Sequence, residues 1–538
     1  MLKRMRVLVV ICLMFSIILT GCKGSSNTPD NNNGTKETNA EQNEPTGTKE
    51  PEKEAEPVTL KWVFLSPGEQ KDAQEVWNKF NEELQKYLPG TTVKFEGITS
   101  ADYAEKWKLI SASQENVDIV WHGWMVPYVT EVRKGSYMEL DKLIEEYAPD
   151  LLKEIPENIL DKSRVDGKLY SIPNMQQMVS YVSTLQFPIK IYEKYKDQIN
   201  VEQLAELFGS HQKMDQELWD ELEKYIVMIK DGGDLQKGVF GFADHVEKGY
   251  EWILNPYKID IYSDDYTPVN LYRTPEYETF VKEYSDWYQK GYIRKDILTA
   301  DNVSQEIYEV RGGGNYLVGQ GYYPTESEIA TSEAAGSTAY VKIPFDNSHY
   351  IPYAAAATNM AISSNSKNPE RAMQLIELMN TEKGKDLYNL MVYGIEGKHY
   401  NKINDKEIQP IGYTSQPTAD SPYGQYNWAI GNIFNGYEIY MENKPLTLQS
   451  DFISQVNADA APSKLKGFTL DTDPIKTELA QVNAVIGEYK TTLNSGAAPD
   501  ADALYKDFVN KLIKAGDDVV TKEIQRQIDE WRASKENQ

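Results

Sequence analysis

An α/β fold built on a parallel sheet is predicted for this 538-residue chain by three features. The folded part opens with strand–helix–strand–helix–strand alternation, which calls for right-handed crossovers. A later Asn368-Pro369 pair carries the cap-then-proline signal of a helix start. The tail is a run of amphipathic helical stripes, two of them closed by glycine.

Val58 to Leu65 reads as the first strand. Ser66-Pro67-Gly68-Glu69 reads as a helix start, with Ser66 at the N-cap, Pro67 at the first helical position and Glu69 three after the cap. Ala73, Val76, Trp77, Phe80, Leu84 and Leu88 follow at helical spacing. Thr91 to Ile98 is a second strand, residues 101 to 112 a helix, and Val117 to Trp121 a third strand that ends at Gly123-Trp124. In such sheets ligands sit beyond the carboxyl ends of the strands. That rule points to Ser66-Pro67-Gly68 and to Gly123-Trp124.

In the middle, Leu218, Leu222, Tyr225 and Ile229 make one helical stripe, and Phe280, Tyr284, Trp287 and Tyr288 another. Both read as core. "RGGGNYLVGQGYYP", 311 to 324, holds a short apolar strand and then a Gly-rich loop with two tyrosines. It is no phosphate loop, because no Gly-Lys-Ser/Thr follows. After Asn368-Pro369, Ala372, Leu375, Ile376 and Met379 form a buried stripe. The tail stripes are Ile475, Leu479, Val482, Ile486 and Leu493, closed by Gly496; Leu504, Phe508 and Leu512, closed by Gly516; and Val520, Ile524 and Trp531.

The chain carries 82 acidic against 56 basic residues, a net charge of −26, which disfavours nucleic acid and anionic membranes as partners. Tyrosine and tryptophan (36 and 10) outnumber the 14 phenylalanines. Rings with a polar edge suit wet binding surfaces, including the faces and hydroxyls of sugars.

Lys3, Arg4 and Arg6 precede an apolar run from Val7 to Leu19, then small residues before Cys22. This is the layout of a secretory signal, and the run is too short for a spanning helix. Leu19-Thr20-Gly21-Cys22 resembles the lipobox of bacterial lipoproteins, which implies cleavage before Cys22 and diacylglycerol on its sulfur; the alternative is an incidental cysteine beside an ordinary cleavage site. Two acyl chains suffice for stable anchoring. Residues 23 to 56 have no aromatic residue and no Val, Leu, Ile or Met, and read as a solvated tether. Cys12 is the only other cysteine and leaves with the signal, so no disulfide or cysteine metal site is expected.

Gly-x-Ser-x-Gly, Walker and His-Glu-x-x-His patterns are absent, and the five histidines show no metal spacing. Paired carboxylates for glycoside hydrolysis need no sequence motif and stay open.

"NSKNPERAMQLIELMN" resembles the Asn-Pro-x-x-Ala helix of the extracellular solute-binding lipoproteins of bacterial ABC importers, in the carbohydrate-associated family. "YGIEGKHY", 393 to 400, resembles that family's Tyr-Gly-x-Glu-Gly-x-x-Tyr loop. "GFTLDTDPIKTELAQVNAVIGEY" with "EIQRQIDEW" is similar to the C-terminal domain of unknown function found in LipO-type lipoproteins. The resemblance implies a two-lobed, periplasmic-binding-protein-like α/β fold with a ligand cleft between the lobes and extra C-terminal helices. The expected division is a signal peptide at 1–21, a lipidated cysteine and tether at 22–56, lobe one at 57–175 plus about 346–400, and lobe two at about 176–345 plus about 401–538. It also implies no catalysis, no cofactor and no metal. The expected partners are a sugar or oligosaccharide, the permease subunits of an ABC importer and, through the lipid, the outer face of the cell membrane; the expected state is a monomer.

Trp124 follows a strand end and a glycine and is expected in the cleft, with core packing as the alternative. Ser66 and Gly68 are candidates to offer a hydroxyl and backbone amides there; for Ser66 the alternative is helix capping. Asn174 and Gln176, after the strand-like Leu169 to Ile172, are candidates for hydroxyl bonding near the first crossing between lobes. Tyr322 and Tyr323 lie on the Gly-rich loop. Glu396, Trp428 and Asn432 are further candidates, each with a structural alternative. Rival readings are a peptide-binding or sensor lipoprotein and a surface glycan hydrolase.

Overall fold

Val58–Leu65 (β1) is an apolar strand whose Leu60, Trp62, Val63, Phe64 and Leu65 are all at most 1% exposed, as a central strand covered on both faces must be. In a computed structural model, which describes residues 57–113, 115–179, 183–300, 316–319, 328–330, 340–345, 350–351, 358–441, 444 and 449–536, β1 pairs in parallel with Thr91–Ile98 (β2) and Ile119–Gly123 (β3). β2 is an edge strand and alternates: Val93 and Phe95 are buried, Lys94 is exposed. Ile172–Pro173 (β4) and Thr358–Ile362 (β5) complete the sheet in the order β2-β1-β3-β5-β4, with β5 antiparallel to both β3 and β4.

Ala73–Leu84 (α1) buries Ala73, Val76, Phe80 and Leu84, and Trp77 stacks on Phe95 at 5.5 Å between ring centres. Tyr103–Ser113 (α2) is the second crossover. Pro369–Asn380 (α3) starts at the Asn368-Pro369 pair and buries Ala372, Leu375, Ile376 and Met379 completely.

A second core lies around a mixed five-stranded sheet in the order Glu328–Ala330, Tyr340–Pro344, Thr184–Pro188, Tyr316–Val318, Gly238–Phe240. Its helices Gln216–Asp231 and Pro275–Gln289 begin at Asp215 and Thr274, whose side chains accept from Leu218 N (3.2 Å) and Tyr277 N (3.3 Å). Trp219 meets Trp287 edge-on at 5.5 Å.

Lys476–Ser495 (α4) and Ala501–Lys514 (α5) add Val482, Tyr489, Leu493, Phe508 and Leu512 to that core. Gly496 ends α4 at φ +70, and a side chain there would strike Tyr284 O at 2.2 Å, so both conformation and close approach require glycine. Asp517–Glu536 (α6) joins the hairpin of Tyr250–Leu254 and Tyr257–Asp260, burying Val520, Ile524 and Ile528 with Ile253, Tyr257 and Ile259. The fold is thus a two-lobed α/β architecture with added C-terminal helices. Among the described residues no helix is long and apolar enough to cross a membrane.

Two expectations differ from the structure. Ser66-Pro67-Gly68-Glu69 does not start a helix: α1 begins at Ala73, with Asp72 before it. The segment is held out of helical geometry by tertiary bonds. Gly68 has φ +129, Gln70 Nε2 donates to Thr418 O at 2.9 Å, and Asp72 N donates to Pro422 O at 3.2 Å. The second difference is the lobe division after residue 400. Tyr400, Ile408, Ala429 and Ile430 are buried in the first core, with Trp428, Phe434, Tyr437, Ile439 and Val456 packed on it, not in the second. Their apolar positions are scattered among turns and have no period that would assign them to either core. Among the described residues the chain therefore passes between cores three times, after Val179, after Phe345 and after Ala460.

Candidate functional site

Trp124 stands just past the carboxyl end of β3 and is 65% exposed, the most exposed of the large hydrophobic side chains among the described residues. Leaving an indole in water is unfavourable unless something covers it. It is not isolated. Its ring lies edge-on to buried Trp121 at 5.6 Å and 5.7 Å from Trp428. Trp428 in turn stacks on Tyr426 at 5.0 Å and an angle of 14°. The three rings make an aromatic surface at the strand end, where parallel sheets hold ligands.

Beneath it the hydrogen-bonding groups are neutral. Thr358, at the start of β5 and 1% exposed, donates its hydroxyl to Trp428 O at 2.8 Å and accepts from Gln176 Nε2 (2.7 Å) and Asn174 Nδ2 (3.2 Å). Gln176 Nε2 also reaches Trp428 O at 3.2 Å. Asn457 Nδ2 donates to Gln176 O (2.7 Å), and Met178 N donates to Asn457 Oδ1 (2.8 Å). Next along β3, His122 is buried with Nδ1 3.2 Å from the Tyr137 hydroxyl; burial pushes its pKa down to about 3, so the ring is neutral.

The other candidates sit elsewhere or have other work. Ser66 is 4% exposed, and its hydroxyl engages Gly68 N at 3.2 Å rather than capping a helix. Gly68 faces Ala419, whose Cβ lies 2.9 Å from where a side chain would begin, so the 417–425 loop covers that strand end. Asn174 is fully buried, and Gln176 spends its amide on Thr358 and Trp428. Asn432 is 4% exposed, accepts from Phe434 N at 3.0 Å and donates to Asn380 O at 3.3 Å, a structural role. Glu396 is exposed and paired with Lys402 at 3.3 Å. Cys22, Tyr322 and Tyr323 lie outside the described residues. Tyr426 and Thr358 were missed from sequence. Tyr426 lies two residues before Trp428, in "YNW"; nothing local marks Thr358.

An open polar hollow of about 440 Å³ lies at Asn404, Glu407, Glu438 and Lys444. Lys444 in its lining is already matched, since it bridges Glu407 (2.9 Å) and Glu438 (2.7 Å). Glu223, Glu283 and Asp286 are close enough to share a metal ion, but Lys290 already spans Glu223 and Asp286.

Residues 67–386 match the family model described as bacterial extracellular solute-binding protein, and residues 464–533 match a domain of unknown function, DUF3502. The chain is 26% identical over 454 residues to a carbohydrate ABC transporter substrate-binding protein of Streptococcus pneumoniae serotype 4, covering 83% of this chain and 86% of that protein. It is 23% identical over 418 residues to the polygalacturonan/rhamnogalacturonan-binding protein YtcQ of Bacillus subtilis, 74% of each chain. In structure it is similar to the N-glycan transport solute-binding protein NgtS of Streptococcus pneumoniae, with a TM-score of 0.69, 22% identity, and coverage of 89% of this chain and 100% of that one. The match of more than half the chain, on the two-lobed fold, establishes that this protein belongs to the bacterial extracellular solute-binding protein family.

Proposed function

We propose that this protein captures an oligosaccharide on the Trp124–Trp428–Tyr426 surface, between its lobes, and hands it to an ABC importer. The observation that carries the reading is the 65% exposure of Trp124 within a ring cluster backed by neutral hydrogen-bonding groups. Sugar faces are apolar and their edges are hydroxylated, so stacked rings and fixed amide or hydroxyl groups are the matching chemistry. The relatives support it: they are described as binding or transporting carbohydrates, polygalacturonan and N-glycan. Ligand bridging the lobes would shift the population toward the closed form. The basic front, apolar run and Cys22 support secretion and lipid anchoring at the outer face of the membrane, with residues 23–56 as the leash and a monomer as the working unit.

The test uses residues 23–538, titrated calorimetrically with neutral oligosaccharides, galacturonate oligomers and peptides. Saturable binding of one glycan class, recovered intact, is expected. At about 100 times its dissociation constant that glycan adds about 2.7 kcal/mol of stability. Binding of peptides alone overturns the sugar reading, and consumption of a glycan overturns the receptor reading. For the anchor, Cys22→Ser in the full chain should move the protein from the membrane fraction to the medium.

A further inference from the structure

Trp428 sits on a short 3-10 turn, Asn427–Ala429, which has too few bonds of its own to hold a large ring at a set angle. Its position is supplied from outside. The Thr358 hydroxyl has one hydrogen to give and two lone pairs to fill. It gives the hydrogen to Trp428 O and fills the lone pairs from Gln176 and Asn174, so its capacity is saturated. Trp428 O is an acceptor only, which fixes the Gln176 side chain with its NH₂ toward it.

These groups come from three separate passages of chain. Asn174 and Gln176 lie shortly before the chain leaves the first core after Val179. Thr358 lies where it returns, before Met360. Asn457, bonded to both Gln176 O and Met178 N, lies shortly before it leaves again after Ala460. A further bond, Ile433 N to Met175 O at 2.9 Å, ties the segment after Trp428 to the first passage. The strand ends Tyr350–Ile351 and Ala461–Pro462, from the second and third passages, pair in parallel.

We propose that Thr358 is the positioning residue of the ligand surface: its hydroxyl, through Gln176, couples the setting of the Trp428 ring to the chain passages that join the lobes. This rests on the reading of the Trp124–Trp428–Tyr426 surface as the ligand site. Thr358 is buried and touches no ligand in this scheme. It acts through Trp428. A movement of the passages relative to one another pulls on the carbonyl that holds the ring, so ring orientation and lobe geometry change together.

The experiment compares Thr358→Val, which keeps shape and removes the hydroxyl, with Thr358→Ser, which keeps the hydroxyl. Protein grown with 5-fluorotryptophan is observed by fluorine NMR without ligand, the Trp428 line being assigned by its loss in Trp428→Phe. Thr358→Val is expected to shift or split the Trp428 line, while Thr358→Ser leaves it in place. Binding of Man5GlcNAc is then measured: Thr358→Val weakens it about tenfold or more and Thr358→Ser does not. An unmoved Trp428 line in Thr358→Val overturns the proposal, and so does equal disturbance in Thr358→Ser. Should Thr358→Val fail to fold, Gln176→Leu removes the same link from the other side; a moved line there supports the coupling and an unmoved one overturns it. If wild-type protein does not bind Man5GlcNAc, the choice of sugar fails, while the ligand-free fluorine spectrum still decides the role of Thr358.

Discussion

Two buried histidines, one in each lobe, are held in different ways. His122, in the first core, has Nδ1 against the Tyr137 hydroxyl at 3.2 Å. Around it run further cross-links: Tyr128 to Ser163 O (2.7 Å), Ser171 to Tyr128 (2.9 Å), Ser163 to Asn359 (3.0 Å) and the Thr358 knot. His245, in the second lobe, lies face to face with Phe345 at 3.8 Å, and neither ring nitrogen has a partner among the described residues. There Trp219, Trp287, Phe242 and Tyr284 fill space by ring contact. Around His122 directional bonds set position, and around His245 ring contacts fill the space. Position is what a ligand surface needs, because hydrogen bonds are directional and hydrophobic packing is not.

The largest effect expected from breaking this contrast is at Asp517. Its carboxylate is fully buried and accepts from Tyr257 Oη (2.7 Å), Asn270 Nδ2 (2.6 Å) and Arg273 (2.5 Å), so one charged group pins α6 to the second lobe. Asp517→Ala leaves Tyr257 and Asn270 without this acceptor and Arg273 with Asp518, and should cost roughly 3–5 kcal/mol in urea unfolding. It should loosen the second lobe first, seen as early hydrogen exchange in α6 with the first sheet still protected. A loss under 1 kcal/mol would show that packing alone holds the C-terminal helices.

Next comes the proposed ligand surface. Trp124→Ala should weaken glycan binding by roughly 2 kcal/mol, about thirtyfold. Stability should stay within about 0.5 kcal/mol, because the ring is mostly in water. A stability loss with unchanged affinity would return Trp124 to a packing role.

Acid should act on both lobes. Burial holds His122 and His245 each at about 3, below the ordinary 6.5. The unfolded chain therefore takes up these protons first, and stability is lost as pH falls from about 6.5 toward 3. Each histidine contributes a slope of up to about 1.4 kcal/mol per pH unit. His245→Phe keeps the ring contact and should remove one such slope, read from urea midpoints at pH 4, 5 and 6. An unchanged slope would mean that His245 is already reached by water.

The smallest effect is expected at Glu396. Its ion pair with Lys402 is exposed, with about half of the carboxylate side chain in water, so Glu396→Gln should change stability by less than 1 kcal/mol. Glycan affinity should be unaltered; a large loss would extend the ligand surface to the 393–400 loop.

Legibility from sequence followed the range of the forces involved. The parallel strands and α3 were readable because their apolar residues repeat at the spacing of the element they form. The exposure of Trp124 at a strand end is readable because a strand end and a glycine precede it. The segment 66–72 misled, because a local capping signal was outweighed by Gln70 and Asp72 bonding to a loop some 350 positions away. Gln176 and Asn174 read from sequence as amides near a crossing; their side chains bond Thr358, which no spacing connects to them.

The sequence by itself determined the α/β alternation, the amphipathic tail, the acidic surface and the aromatic supply, since each depends on neighbours within a few residues. Only the tertiary structure decided which aromatics meet, that Tyr400, Ile408, Ile430 and Val456 join the first core, and that Thr358 ties Gln176 and Asn174 to Trp428. Those outcomes depend on residues far apart in the chain meeting in space, and the period of a strand or helix carries no record of that.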